Sequence, residues 1–243
     1  MSTTAGNVIS DLDVLGLFVH PVLELGGISL DKMTFGNSGL PKEHLLFSIL
    51  CDGKSIATEV LATAPLIVSR GQNGELLLTP QQERKGFGPL AITKSTNSKG
   101  PDAARPQEIT EWLSELYGRR CTLQAMKTSP PVPIALVSYA SLLTVSEALT
   151  TPLTAEMLGV NLVVQTESAF AEASWNGHIV IDKVPFRLGD AISFQNIQAE
   201  ALPWKHELRP EQQDLRTYLA GAGGAFVFGR FLTATAEGVI TRF

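Results

Sequence analysis

Cysteine is scarce in this chain: Cys51 and Cys121 are the only two in 243 residues. They stand far apart, with neither metal-ligand nor C-x-x-C spacing, which argues against a zinc ribbon or a redox motif. The expectation is a pair of buried, reduced thiols in an intracellular protein. Basic residues are also few, 19 against 24 acidic ones, and the net charge of −5 argues against nucleic acid or an anionic membrane surface as a partner. No apolar run approaches the length of a membrane span. Residues 1–13 are polar and acidic, without the basic and apolar regions of a signal peptide. A cytosolic (cytoplasmic) protein with a flexible N-terminus is therefore expected. Catalytic signatures are missing as well. The four histidines form neither H-x-x-x-H nor H-x-H, no G-x-S-x-G elbow is present, and no Gly-Lys-Ser/Thr ends a glycine-rich run. A metal site, a hydrolase nucleophile and a phosphate loop thus have little support.

What is present is a succession of short apolar segments punctuated by turn residues. Strands are expected at Val14 to His20, Ile28 to Phe35, His44 to Cys51, around Ile56, at Leu66 to Ser69 and at Leu76 to Thr79. Asp52-Gly53 is a hairpin signal. This spacing suggests a barrel or a folded sheet. The segment from Gln82 to Pro106 turns polar, and its second half is expected to be a mobile loop. The clearest helix runs from Pro106 to Gly118, with Ile109, Trp112, Leu113 and Leu116 forming one apolar stripe. Pro106 suits its first turn and Gly118 its stop. Cys121 to Met126 reads as a strand, and Pro130 to Pro133 as a stiff seam between two halves, 14–130 and 131–243.

In the second half Ser141 is a candidate cap for a helix reaching Leu149. Val160 to Val164 is short and β-branched enough to be a strand buried on both faces. The acidic, Ala-rich turn Ser168 to Ala173 follows, pinned by Phe170 and Trp175. Strands are expected at His178 to Ile181, near Pro185 to Leu188 and irregularly from Ile192 to Leu202. Pro210 to Ala220 suits a helix, and Ala225 to Phe243 a closing β-hairpin broken by Gly229.

The stretch Met157 to Gly177 resembles the pattern "R-F-R-P-N-(apolar)3 … A-F-x-E-x-x-W" of MOSC domains, the molybdenum-cofactor sulfurase C-terminal type that includes the amidoxime-reducing proteins. Other segments resemble the same family in the same order. Val19-His20-Pro21-Val22 with Gly26-Gly27-Ile28 is similar to "Y-P-V-K-S-x-x-G". Gly39-Leu40 with Glu43-His44 is similar to "G-L … D-R", and Trp112-Leu113-Ser114 to "W-L-S". Val137-Ser138 with Ala140-Ser141-Leu142 is similar to "L-x-S-x-A-S-L", and Phe228-Gly229 with Gly238-Val239-Ile240 to "F-G … G-x-I". The resemblance implies a β-barrel-rich α/β fold of an N-terminal barrel subdomain and a MOSC-like domain.

It also implies a site. In the family a thiolate from an "R-C" pair ligates molybdenum, and Lys and Arg side chains hold the anionic pterin cofactor, as soft-ligand preference and charge-assisted hydrogen bonding require. Here the counterpart of "R-C" falls near Ser193-Phe194, and no cysteine follows Cys121. Leu23 replaces the lysine of "P-V-K-S", and His44 the arginine of "D-R". Met157 and Gly159 replace the two arginines of "R-F-R-P-N", while Asn161 remains. A hydrogen bond to a charged group is worth roughly 1.5 to 3 kcal/mol. With the thiol and about four cations missing together, molybdenum cofactor is not expected. Arg187, Arg216 and Arg230 are the unassigned cations that could substitute.

The resulting expectation is a MOSC-fold enzyme without molybdenum that uses the cofactor slot for a small, largely apolar organic substrate, in a cyclisation, isomerisation or dehydration. His20, His44 and Glu43 are the candidate acid/base residues. Leu23, Met157, Gly159, Asn161, Phe194, Trp204 and Arg216 are the candidate substrate contacts, and no metal ligand is assigned. The plainer alternative for the histidines is a hydrogen-bonded strand end, and for Glu172, beside Glu167 in a polar turn, a solvated side chain. Two other functions stay open: a molybdenum-dependent oxidoreductase or sulfur carrier of the amidoxime-reducing type, and a non-catalytic binding or scaffolding protein. No nucleic-acid or membrane partner is expected; the oligomeric state is not legible.

Overall fold

The computed structural model describes residues 9, 12–22, 24–36, 41, 47–56, 60, 63–72, 75–92, 106–125, 134–149, 153–193, 217–218, 220–221 and 227–243. Short strands dominate it, so the chain is a β-rich α/β protein. In order they are β1 (Val14–Val19), β2 (Ile28–Ser29), β3 (Lys32–Phe35), β4 (Phe47–Cys51), β5 (Lys54–Ser55), β6 (Leu66–Arg70), β7 (Leu76–Pro80) and β8 (Leu90–Ile92). Helix α1 (Pro106–Tyr117), β9 (Cys121–Ala125), β10 (Ile134–Ser138), α2 (Tyr139–Ala148), α3 (Ala155–Leu158) and β11 (Leu162–Val164) follow. A 3-10 turn (Ala171–Ser174), β12 (His178–Ile181), β13 (Val184–Ser193), β14 (Val227–Ala234) and β15 (Gly238–Thr241) complete the order. No helix among the described residues is long and apolar enough to cross a membrane.

The chain divides into two units, one of residues 1–19, 29–44 and 128–243, the other of residues 20–28 and 45–127. The proline-rich seam suggests a single boundary at 130/131. Instead β1 and β3, from the N-terminal part of the chain, fold with the C-terminal half.

The first unit is built on a sheet in the order β12-β13-β14-β10-β11-β1, with Ser29 of β2 at its edge. β10 and β11 run parallel, whereas β1 with β11, β10 with β14, β12 with β13 and β13 with β14 run antiparallel. β11 therefore lies inside the sheet, and Leu162, Val163 and Val164 are all buried. Successive side chains of a strand face opposite ways, and both faces of β10 are covered. Ala135 and Val137 join Leu142 and Val145 of α2 in one cluster, while Ile134 and Leu136 between them are equally enclosed. Phe35 and Phe186 meet edge to face, with ring centroids 5.2 Å apart. Gly229 continues β14 rather than breaking it. A Cβ there would fall against the carbonyl oxygen of Leu136, so only glycine lets the two strands approach this closely. The expected closing hairpin does not form. β14 stays in the large sheet, whereas β15 leaves it and pairs antiparallel with β3. Alternation alone marks β14 and β15 as strands but is silent on their partners.

The second unit contains two three-stranded sheets, β5-β4-β9 and β6-β7-β8, and helix α1. β4 and β5 are joined by Asp52-Gly53, whose φ angles of 55° and 79° give the doubly left-handed turn that suits a two-residue hairpin. β5 stops at Ser55, so Ile56 carries no strand of its own. Helix α1 ends where expected, with Gly118 at φ 64° supplying the left-handed C-terminal stop. Its buried stripe is Ile109, Leu113, Leu116 and Tyr117. Trp112 is only partly buried and lies edge to face with Phe87, because the helix turns its Tyr117 side inward instead. Glu24 ties residues 20–28 to the hairpin: its carboxylate accepts from the Ser48 and Ser55 hydroxyls at 2.5 and 2.7 Å and from the Ile49 N–H at 3.1 Å.

The cysteines are buried, as expected, but they are not free thiols. Cys51 and Cys121 are disulfide-bonded to each other. Seventy positions apart in sequence, they are direct partners in the β4–β9 register, a juxtaposition that sequence spacing does not reveal.

Candidate functional site

The densest polar constellation among the described residues lies where β10 runs into α2. Ser138 is the N-cap of α2, with extended backbone, and its hydroxyl accepts the Ser141 N–H at 3.1 Å. The cap is thus Ser138 and not Ser141, which sits one turn further in. Glu172, on the 3-10 turn, is fully buried. Its Oε1 accepts the Ser138 N–H at 2.5 Å, and its two carboxylate oxygens lie 3.1 and 3.0 Å from the Ser141 Oγ. The Ser141 hydroxyl also accepts the Phe170 N–H at 2.7 Å and lies 2.7 Å from the Ser138 hydroxyl. Since its single proton goes to the carboxylate, the Ser138 hydroxyl is the donor between the two serines.

The solvated reading of Glu172 is therefore overturned. A carboxylate can be buried where it meets the N–H groups and positive dipole end of a helix and its lone pairs are bonded. Phe170 and Trp175 flank it as anchors. Trp175 is buried, and Phe170 packs against the α2 core cluster. Phe170 holds φ 62°, a left-handed conformation uncommon for a bulky residue, and its bond to Ser141 fixes that geometry. The signal is present in the sequence: an acidic residue framed by two aromatics, and Ser-x-x-Ser at a helix start.

Arg230, one of the unassigned cations, reaches this turn from β14. Its Nε donates to the Glu172 carbonyl at 3.0 Å, and its Nη2 to the carbonyls of Ala173 and Trp175 at 3.2 and 3.0 Å. The guanidinium thus satisfies the carbonyls that a short turn leaves open at its C-terminal end. Arg187 is exposed on β13.

Asn161, a candidate substrate contact, is buried. Its Oδ1 accepts the Ala135 N–H at 3.0 Å and its Nδ2 donates to the Phe18 carbonyl at 3.1 Å. The side-chain amide so bridges β10 and β1 just before β11 begins. Gly159 has φ 70° and follows α3, and the Val160 N–H reaches back to the Ala155 carbonyl at 3.0 Å. This is the Schellman closure of a helix end, in which the left-handed position favours glycine. Met157 lies within α3.

His20 belongs to the second unit and is buried. Its ring lies against Gly27: a Cβ at that position would be 2.6 Å from Cε1, 3.1 Å from Nδ1 and 3.2 Å from Nε2. The neighbouring Pro21 carbonyl accepts the Phe47 N–H at 2.7 Å, which holds this segment to β4. Of the expected site residues, Gly159 and Asn161 share one short segment with the backbone of Met157. Leu23, Glu43, His44, Phe194, Trp204 and Arg216 lie outside the described residues. Among the described residues no group of three or more His, Cys, Asp or Glu is placed to hold a metal ion.

No protein-family model matches the chain, and no curated protein matches it. Among solved structures it is similar to the YuaD protein from Bacillus subtilis, with TM-score 0.42 and 12% identity over 95% of this chain and 91% of that one. Likeness at that level adds nothing to the reading of the site.

Proposed function

We propose that this chain is a divergent MOSC-type enzyme that works without molybdenum on a small, largely apolar organic substrate. One contrast carries the reading. The family-like residues that persist, Ser138, Ser141, Asn161 and Glu172, have side chains engaged with the fold's own backbone or with one another. The positions that hold the anionic cofactor in the family carry Leu23, His44, Met157, Gly159 and Phe194 instead.

The donor set does not fit the family's cofactor. Cys51 and Cys121, the chain's two cysteines, are partnered with each other across β4 and β9, and neither is the counterpart of the family's "R-C" cysteine, which falls near Ser193-Phe194. Arg230, a possible replacement cation, is occupied by backbone carbonyls. An apolar cavity with one or two polar groups is the common form of a small-molecule site, and a histidine supplies acid/base chemistry near neutral pH. His20 and His44 are the residues proposed for that role.

The test is elemental analysis, with native mass spectrometry, of protein freshly purified from a host that makes molybdenum cofactor. The expected result is no molybdenum and a co-purifying organic mass. Near-stoichiometric molybdenum would overturn the proposal in favour of an oxidoreductase of the amidoxime-reducing type.

A further inference from the structure

We propose that Cys51 and Cys121 form a redox-controlled clasp that closes residues 52–120 into a protected loop, released by a dithiol reductant and closed again by oxidation.

The clasp sits at a defined point of the sheet. Cys51 is the last residue of β4, Cys121 the first of β9, and the two are direct partners with Cα atoms 4.1 Å apart. The Asp52 N–H donates to the Arg120 carbonyl at 2.9 Å, so the cysteines occupy the non-hydrogen-bonded type of antiparallel pair, where side chains stand closest. The main-chain groups of Cys121 face the other way. Its N–H donates to the Ser114 hydroxyl at 2.9 Å, which in turn donates to the Cys121 carbonyl at 3.1 Å. The end of α1 is thereby tied to Cys121, and the disulfide ties both to β4. Everything between, from β5 to α1, is a loop closed by one covalent bond.

Both redox states suit the same pocket. Cys51 and Cys121 belong to the core cluster that includes Val22, Leu25, Ile49 and Leu113. A thiol behaves there as a small apolar side chain, so reduction leaves no buried polar group without a partner. What reduction removes is the constraint on the loop, and the constraint grows with loop length. β9 is an end strand of its sheet, and its far residues Gln124 and Ala125 are exposed. Parting of β9 from β4 is the local opening that admits a reductant to buried sulfur.

The exchange is balanced. A thiolate of the dithiol attacks one cysteine sulfur, the S–S bond breaks, and the other cysteine leaves as thiolate. The reductant's second thiol, as thiolate, then displaces the mixed disulfide. The reductant ends as a disulfide, two electrons pass to the protein, and each cysteine binds one proton.

The experiment compares the full chain, purified without reductant, before and after dithiothreitol. Thiol titration under denaturant is expected to give no free thiol before and two after. Reduction should lower Tm by roughly 10 °C and speed proteolytic cutting between residues 52 and 120 at least tenfold. Removing the reductant and adding oxidised glutathione should restore the starting values. Cys51→Ala/Cys121→Ala should match the reduced protein and ignore dithiothreitol; if that variant does not fold, the wild-type comparison decides alone. Two free thiols before reduction, equal Tm and cutting in both states, or failure to reclose would overturn the proposal.

Discussion

Both carboxylate oxygens of Glu172 lie within hydrogen-bonding distance of one hydroxyl, that of Ser141, at 3.1 and 3.0 Å. Through it the carboxylate joins the cap of α2, the left-handed Phe170 and the start of the 3-10 turn in a single closed network. Such a network stabilises when every member has a partner and becomes costly when one is removed.

Glu172→Ala should therefore destabilise the protein by about 2 to 5 kcal/mol, since it leaves the buried Ser138 N–H and Ser141 hydroxyl without their acceptor at about 1 to 3 kcal/mol each. Glu172→Gln should lose less, about 1.5 to 3 kcal/mol, since it keeps an acceptor but no charge. In a double-mutant cycle with Ser141→Ala the two losses should not add. A denaturation midpoint moved by no more than a surface substitution would place the Glu172 side chain in solvent.

Local chemistry is legible in the sequence: β12 begins and ends at His178 and Ile181 as read, Gly118 stops α1, and Asp52-Gly53 turns the hairpin. Each of these is decided by residues a few positions apart. Long-range pairing is not legible. Nothing near Cys51 announces Cys121, and nothing in the last twenty residues says that β15 joins β3. Glu172 is misread for a related reason, because its neighbours in sequence are polar while its neighbours in space are a helix end and two serines. Asn161, a candidate substrate contact by sequence, has an amide that bonds the main chain of β10 and β1, partners that lie far from it in sequence.

Gly159, a candidate substrate contact from the sequence, has a backbone role of its own. At φ 70° it closes α3, so filling the position strains the backbone whatever lies beside it. Gly159→Ala should cost about 1 to 2 kcal/mol, and Gly159→Asn less, because asparagine tolerates the left-handed region. Thermal denaturation of the two variants checks the order; equal stability of Gly159→Ala and wild type would contradict the helix-end role.

Tyr117 sets a limit at alkaline pH. Its phenol donates to the Ala64 carbonyl at 3.1 Å, and burial pushes its pKa well above the ordinary value, with the nearby Arg84 guanidinium acting in the opposite direction. The neutral form is thus favoured by folding. That contribution is present below the unfolded-state value of about 10 and is lost as pH rises above it toward the folded-state value. Stability should fall in that range, and less steeply in Tyr117→Phe, which gives up about 1 kcal/mol at neutral pH. Urea midpoints measured at pH 8 and pH 10.5 decide the matter; parallel losses in both proteins would remove Tyr117 as the cause.

The last prediction concerns His20 and its contact with Gly27. Gly27 is not among the residues with positive φ, so alanine is allowed there by the backbone. The added methyl would begin 2.6 Å from Cε1 of the imidazole, closer than atoms can stand, and the ring must move. If His20 transfers a proton during turnover, a displaced ring is mispositioned, and displacements near 1 Å at a reacting centre can cost roughly 100-fold in rate. Gly27→Ala should then lower kcat while the protein stays folded, and His20→Ala should lower it at least as far. His20→Gln, which keeps a polar side chain but no titratable group, should fold and fail to restore the rate. A histidine serving only the fold gives the opposite pattern: stability falls in His20→Ala and Gly27→Ala, while kcat per folded molecule is unchanged in all three. With the co-purifying compound in hand as probe, isothermal titration separates the remaining case, since loss of binding with unaltered kcat would make His20 a substrate contact and not an acid or base.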